Sequence, residues 1–84
     1  MRENANSITT RYWKTLIAEA LMAQHQEKQE QALALFRIAL VVAEFLHDDG
    51  LAATTLYRLG ALQDVFGNKQ AAIQSFRSSY DRYQ

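Results

Sequence analysis

The chain has 84 residues, 49% of them hydrophobic and 21% charged, with nine basic residues balancing nine acidic ones and with neither cysteine nor proline. That length holds one small domain, which buries only roughly 60% of the surface its unfolded form exposes, so stability has to come from regular helices, a metal or a partner subunit. Disulfides and thiolate metal sites are excluded, and zero net charge argues against a nucleic-acid or anionic-membrane surface, both of which rely on an excess of lysine and arginine. The longest strongly apolar stretch, Ala32 to Leu46, is interrupted by Arg37 and Glu44 and is too short to cross a bilayer. Met1 to Ser7 is polar and precedes no uninterrupted apolar segment, so no secretion signal is read there. The expectation is a soluble, cytoplasmic helical domain.

A flexible segment is expected over residues 1–8 and a single helical domain over 9–84. With no proline and abundant Ala, Leu and Gln, the chain favours helix throughout, and glycine and polar turns must punctuate it. The first helix opens at Ser7 or Thr9, either able to cap free amides, and carries Tyr12, Trp13, Leu16, Ile17, Ala20 and Leu21 at helical spacing. It fades near Gln24 to Glu27, where His25, Gln26, Glu27 and Lys28 give a weak turn signal. The second helix, from Ala32 to Leu46, has an apolar face broad enough to contact neighbours on more than one side. The next break is His47, Asp48, Asp49, Gly50, whose carboxylates suit the start of a following helix from about Leu51 to Phe66. Gly67 supplies a left-handed residue and Asn68 a cap for a fourth helix over about Lys69 to Tyr83. Connections this short predict antiparallel neighbours, two hairpins in all.

Sliding the sequence by forty positions places Leu16 on Leu56, Ala20 on Gly60, Ala32 on Ala72, Phe36 on Phe76, Arg37 on Arg77 and Ala39 on Ser79. Small residues fall where helices approach closely, and large ones where a neighbour must be filled. This pattern resembles the tetratricopeptide repeat (TPR), with units at about 13–46 and 53–84. Leu56, Leu59, Gly60, Gly67, Ala72, Phe76 and Ser79 stand at the family's spacing, and Leu16, Ala20, Ala32, Phe36 and Ala39 form a looser first unit. Glu44 and Gln84 occupy the place of the family's closing proline. The extra length, around His47 to Ala52 at the end of the second helix, is similar to the repeats of kinesin light chains and of several bacterial regulatory proteins. The fold class expected is therefore all-α, two hairpins stacked as a short TPR-like superhelix. An ordinary antiparallel four-helix bundle is the alternative.

The resemblance implies a non-enzymatic protein-interaction module whose first helices line a concave face. Its partner-binding residues would be Lys14, Ile17, Leu21 and His25 from the first unit and Tyr57, Arg58, Ala61 and Val65 from the second, joined by Ala18, Gln24, Thr54 and Asp64. Apolar anchors beside Lys14 and Arg58 suit a peptide or helix of another protein. Ile17 and Tyr57 serve equally well as packing residues. Ile17 and Leu21 stand where the family's carboxylate clamp needs lysine and asparagine, so that clamp is not expected. A secretion-type chaperone shielding an apolar client helix, and a self-assembling structural protein without a client, are the alternatives.

The stripe Ile73, Phe76, Tyr80, continued by Tyr83, has no later helix to cover it, which predicts a self-association edge and a homodimer as the simplest closed form. No catalytic residue, metal or cofactor is expected. His25 and His47 lie on different turns and share no metal-ligand spacing, and Asp48 and Asp49 read as a capped turn. Glu19 and Glu44 stand alone among apolar neighbours and read as solvated or paired carboxylates at helix edges, and Trp13 with Tyr12 reads as a packing plug.

Overall fold

A computed structural model describes residues 5–83 and holds four helices: α1 (Ala5–His25), α2 (Gln29–Phe45), α3 (Asp49–Val65) and α4 (Lys69–Arg82). The all-α class and the two-hairpin organisation are as expected. The first helix begins earlier than the capping signals at Ser7 and Thr9 suggest. Of the segment expected to be flexible, residues 5–8 are helical and residues 1–4 lie outside the described residues.

The three turns are built alike and recur every twenty residues. In each, a residue with positive φ follows the helix: Glu27 at 62°, His47 at 53° and Gly67 at 84°. Its amide donates to the carbonyl three residues back, and the next amide donates to the carbonyl five back. The pairs are Glu27 to Gln24 and Lys28 to Ala23, His47 to Glu44 and Asp48 to Ala43, and Gly67 to Asp64 and Asn68 to Gln63. These are Schellman closures, which satisfy carbonyls that the helix end leaves open. The residue after each left-handed position opens the next helix. Asp48 accepts from the Leu51 amide at 3.0 Å and Asn68 from the Ala71 amide at 3.4 Å, whereas Lys28, at the same place before α2, has no side-chain cap. The extra residues of the forty-residue unit do not lengthen the second helix, as the resemblance implied. Residues 47 and 48 form the turn, and 49–52 make the first turn of α3.

Packing joins chain neighbours: α1 with α2, α2 with α3 and α3 with α4. The result is a slab of 46 × 32 × 13 Å. A closed two-by-two bundle, with axes 8–10 Å apart, would be only about 15 Å wide in both directions across the helices. The four helices are instead laid out as an open stack. Its core is small-residue rich: Ala20, Ala23, Ala32, Ala39, Ala43 and Ala52 let the helices approach around Trp13, Leu16, Ile17, Phe36, Leu59 and Leu62. Phe36 is fully buried at the centre, a contribution of about 1.5–3 kcal/mol by area.

The α3–α4 hairpin is joined differently, through buried hydroxyls. Ser79 donates to the Ala53 carbonyl and Ser75 to Gln63 Oε1, each at 2.7 Å. Gly60 lies under Phe76, and a Cβ there would come within 2.9 Å of the ring. Glu44, read from sequence as a solvated or paired carboxylate at a helix edge, is paired. Arg82 reaches it at 2.9 Å and Asp49 at 3.3 Å, tying the end of α4 to the α2–α3 turn.

Candidate functional site

The residues expected on a concave face come from α1 and α3, and the helical period determines which of them reach solvent. Lys14, Leu21, His25, Tyr57, Arg58 and Val65 are exposed, and Ala61 is half-buried. Ile17 is not on a surface. It is 8% exposed and belongs to the core cluster, so its role is packing. Among the accompanying residues Ala18 and Asp64 are exposed and Thr54 and Gln24 half-buried, and Asp64 is engaged by Lys69 Nζ at 2.6 Å.

Leu21, His25, Val65 and Tyr57 divide between two clefts, and Lys14 and Arg58 line neither of them. Where the C-terminal ends of α1 and α3 run side by side, Leu21, Gln24, His25, Glu27, Val65 and Phe66 line an open cleft with apolar walls and a polar rim. Tyr57 does not join it. It turns towards α4, its ring centroid 5.5 Å from that of Phe76 at an interplanar angle of 49°, a favourable tilted contact. With Phe76, Ser79, Tyr80 and Tyr83 it lines a second, strongly apolar cleft. Tyr57 thus connects the expected partner face to the expected self-association edge. Within that edge, Ile73 and Tyr80 are exposed and Phe76 is half-buried under Tyr57. Tyr83, 67% exposed, extends the stripe to the end of α4.

One apolar surface went unread in the sequence. Ile38, Val41 and Phe45 form a stripe on α2 that is largely exposed, Phe45 to 72%. The spacing i, i+3, i+7 was visible, but the breadth of the apolar face on α2 concealed which strip its neighbours would leave uncovered. Forty positions on, the places of Ile38 and Val41 hold Ser78 and Asp81, so α4 does not repeat this stripe.

Among the described residues no group of three or more histidine or acidic side chains gathers as for a metal ion, and no helix is long and apolar enough to cross a membrane. Asp48 caps α3, as its place in the turn suggested. No family model, no curated protein and no solved structure matches the chain.

Proposed function

We propose that the protein is a non-enzymatic interaction module, an adaptor or assembly factor acting in the cytoplasm, that holds a peptide or helix of another protein across α1 and α3. The observation that carries this reading is the cleft between the ends of those two helices. Leu21 and Val65 supply exposed apolar walls, with His25, Gln24 and Glu27 around the rim. A helix laid there would bury the two aliphatic side chains and find hydrogen-bonding groups at its edge, as in helix-in-groove recognition. The tetratricopeptide-like pattern supports the same use of first helices, and Lys14 and Arg58, both exposed, would select a partner with acidic residues flanking its apolar anchors. Self-association through the exposed stripe of α4 belongs to this reading. The chain's own chemistry adds no catalytic role to it.

Selection of peptides from a displayed library against the purified protein tests the assignment. The expected selectants are amphipathic and acidic-flanked, and Leu21→Glu with Val65→Glu weakens them by more than about tenfold while circular dichroism stays unchanged. Selectants that bind the double variant as tightly as the wild type would overturn it.

A further inference from the structure

The two outer faces of the stack are the two halves of an interface the chain already makes internally. Along α1, Trp13, Leu16, Ala20 and Ala23 are buried, and forty positions on in α3 Ala53, Leu56, Gly60 and Gln63 are buried likewise. On α3 these face its own hairpin partner, since Gly60 meets Phe76, Gln63 meets Ser75 and the Ala53 carbonyl meets Ser79, while on α1 Trp13 also reaches Thr55 of α3. But α3 buries a further stripe, Ala52, Thr55, Leu59 and Leu62, whose α1 equivalents Tyr12, Thr15, Glu19 and Met22 are all exposed. That stripe is the one α3 turns to the α1–α2 hairpin, and Ala52, Leu59 and Leu62 belong to the shared core.

The same comparison applies to the second helices. Leu33, Phe36, Leu40 and Ala43 of α2 are buried or half-buried, while their equivalents Ile73, Tyr80 and Tyr83 on α4 are exposed and Phe76 loses part of its cover. The stack therefore ends, on one side, in a face like that of α2 without its α3, and on the other in a face like that of α3 without its α2.

We propose that these faces are occupied by second copies of this chain, α4 of one packing on α1 of the next, head to tail. The proposal rests on the self-association reading above and specifies the mate. Counting outward from the turn at His47, Leu33 and Leu62 stand at matching heights, as do Phe36 and Leu59. Transferred to the junction, Ile73 meets Met22 of the next copy, and Phe76 meets the aliphatic stem of Glu19. Arg77, beside Phe76, brings charge complementarity to that carboxylate, and within the described residues neither Glu19 nor Arg77 has an ion-pair partner. A head-to-tail contact of this kind is heterologous, so it extends a stack or closes a ring and does not stop at a two-fold dimer.

Complementary blocking tests it. Tyr12→Asp with Met22→Asp blocks the α1 face, and Ile73→Asp with Tyr80→Asp blocks the α4 face. The wild type is expected to grow in mass with concentration in sedimentation experiments, each blocked variant alone to be monomeric, and an equal mixture of the two to form a two-chain complex through the intact pair of faces. A milder pair checks the geometry without introducing charge into an apolar stripe: Glu19→Arg alone weakens association by about tenfold, and mixing it with Arg77→Glu restores it. A wild type that stays monomeric at every concentration overturns both self-association and its geometry. An α1-blocked variant that still dimerises while the α4-blocked variant does not overturns the head-to-tail arrangement alone, and assigns α4 to pairing with itself.

Discussion

The indole N–H of Trp13 donates to the hydroxyl of Thr55 at 2.9 Å, and that hydroxyl donates in turn to the Leu51 carbonyl at 2.7 Å. Thr55 is fully buried and Trp13 nearly so, so this relay joins α1 to α3 out of water. Replacing Thr55 by valine keeps the volume but leaves the indole N–H without a partner. A loss of about 1–3 kcal/mol is expected in urea unfolding. Trp13 is the only tryptophan, so its fluorescence reports directly on the junction. A Thr55→Val variant as stable as wild type would show that the relay contributes nothing net.

Gly60→Ala sets two effects against each other. Helix propensity gains about 1 kcal/mol, but the added Cβ meets Phe76 at 2.9 Å and the Ser75 Cβ at 3.2 Å, and overpacking of this kind costs about 1–3 kcal/mol. Net destabilisation is expected, and Phe76→Leu should relieve part of it. A double-mutant cycle measured by chemical denaturation gives the coupling. Strictly additive effects would place the strain elsewhere.

The three turns differ in how well their residues suit one geometry. Gly67 occupies its left-handed position without strain, whereas Glu27 and His47 hold theirs against a steric cost. Lys28, unlike Asp48 and Asn68, supplies no cap. Glu27→Gly with Lys28→Asn should therefore raise stability by about 1–2 kcal/mol, and Gly67→Ala should lower it by about 1 kcal/mol. Thermal melts of the two variants are expected to move in opposite directions from the wild type.

Arg82 bridges Glu44 and Asp49, but both carboxylates are half-exposed or more. Solvent screening then limits Arg82→Ala to a loss below about 1 kcal/mol, and the difference from wild type should shrink further in high salt. A salt-independent loss would mean that the aliphatic stem, rather than the charge, is what matters.

The same turns explain which parts of the fold were readable. Gly67–Asn68 and Asp48 use residue types that the turn geometry demands, so the third and fourth helices could be placed closely. The first turn performs the same closure with Glu27 and Lys28, neither of which marks it, and its position stayed vague. Within the candidate site, Leu21, His25 and Val65 line one cleft, and it is the tetratricopeptide-like register that groups them, since helical spacing within α1 or α3 says nothing of how the two helices meet. Ile17, for which surface and packing roles were equally open, lies between the outward and inward sectors of α1, and only the arrival of the neighbouring helices determines its burial. Thr55, Gln63, Ser75 and Ser79 carry the opposite lesson. As polar residues they look like surface, and their burial becomes favourable only once another element brings each hydroxyl or amide a partner.

Because every turn closes on its own helix end and every extensive contact joins helices adjacent in the chain, the topology asks for little long-range search. Folding of such a chain is dominated by local closure, which favours rapid formation and permits graded opening from the ends. The shortest helix, α4, rests on α3 and is the natural first segment to exchange its amides with water. It also means that each closure belongs to its own helix end alone, so a change at one turn leaves the hydrogen bonds of the other two in place.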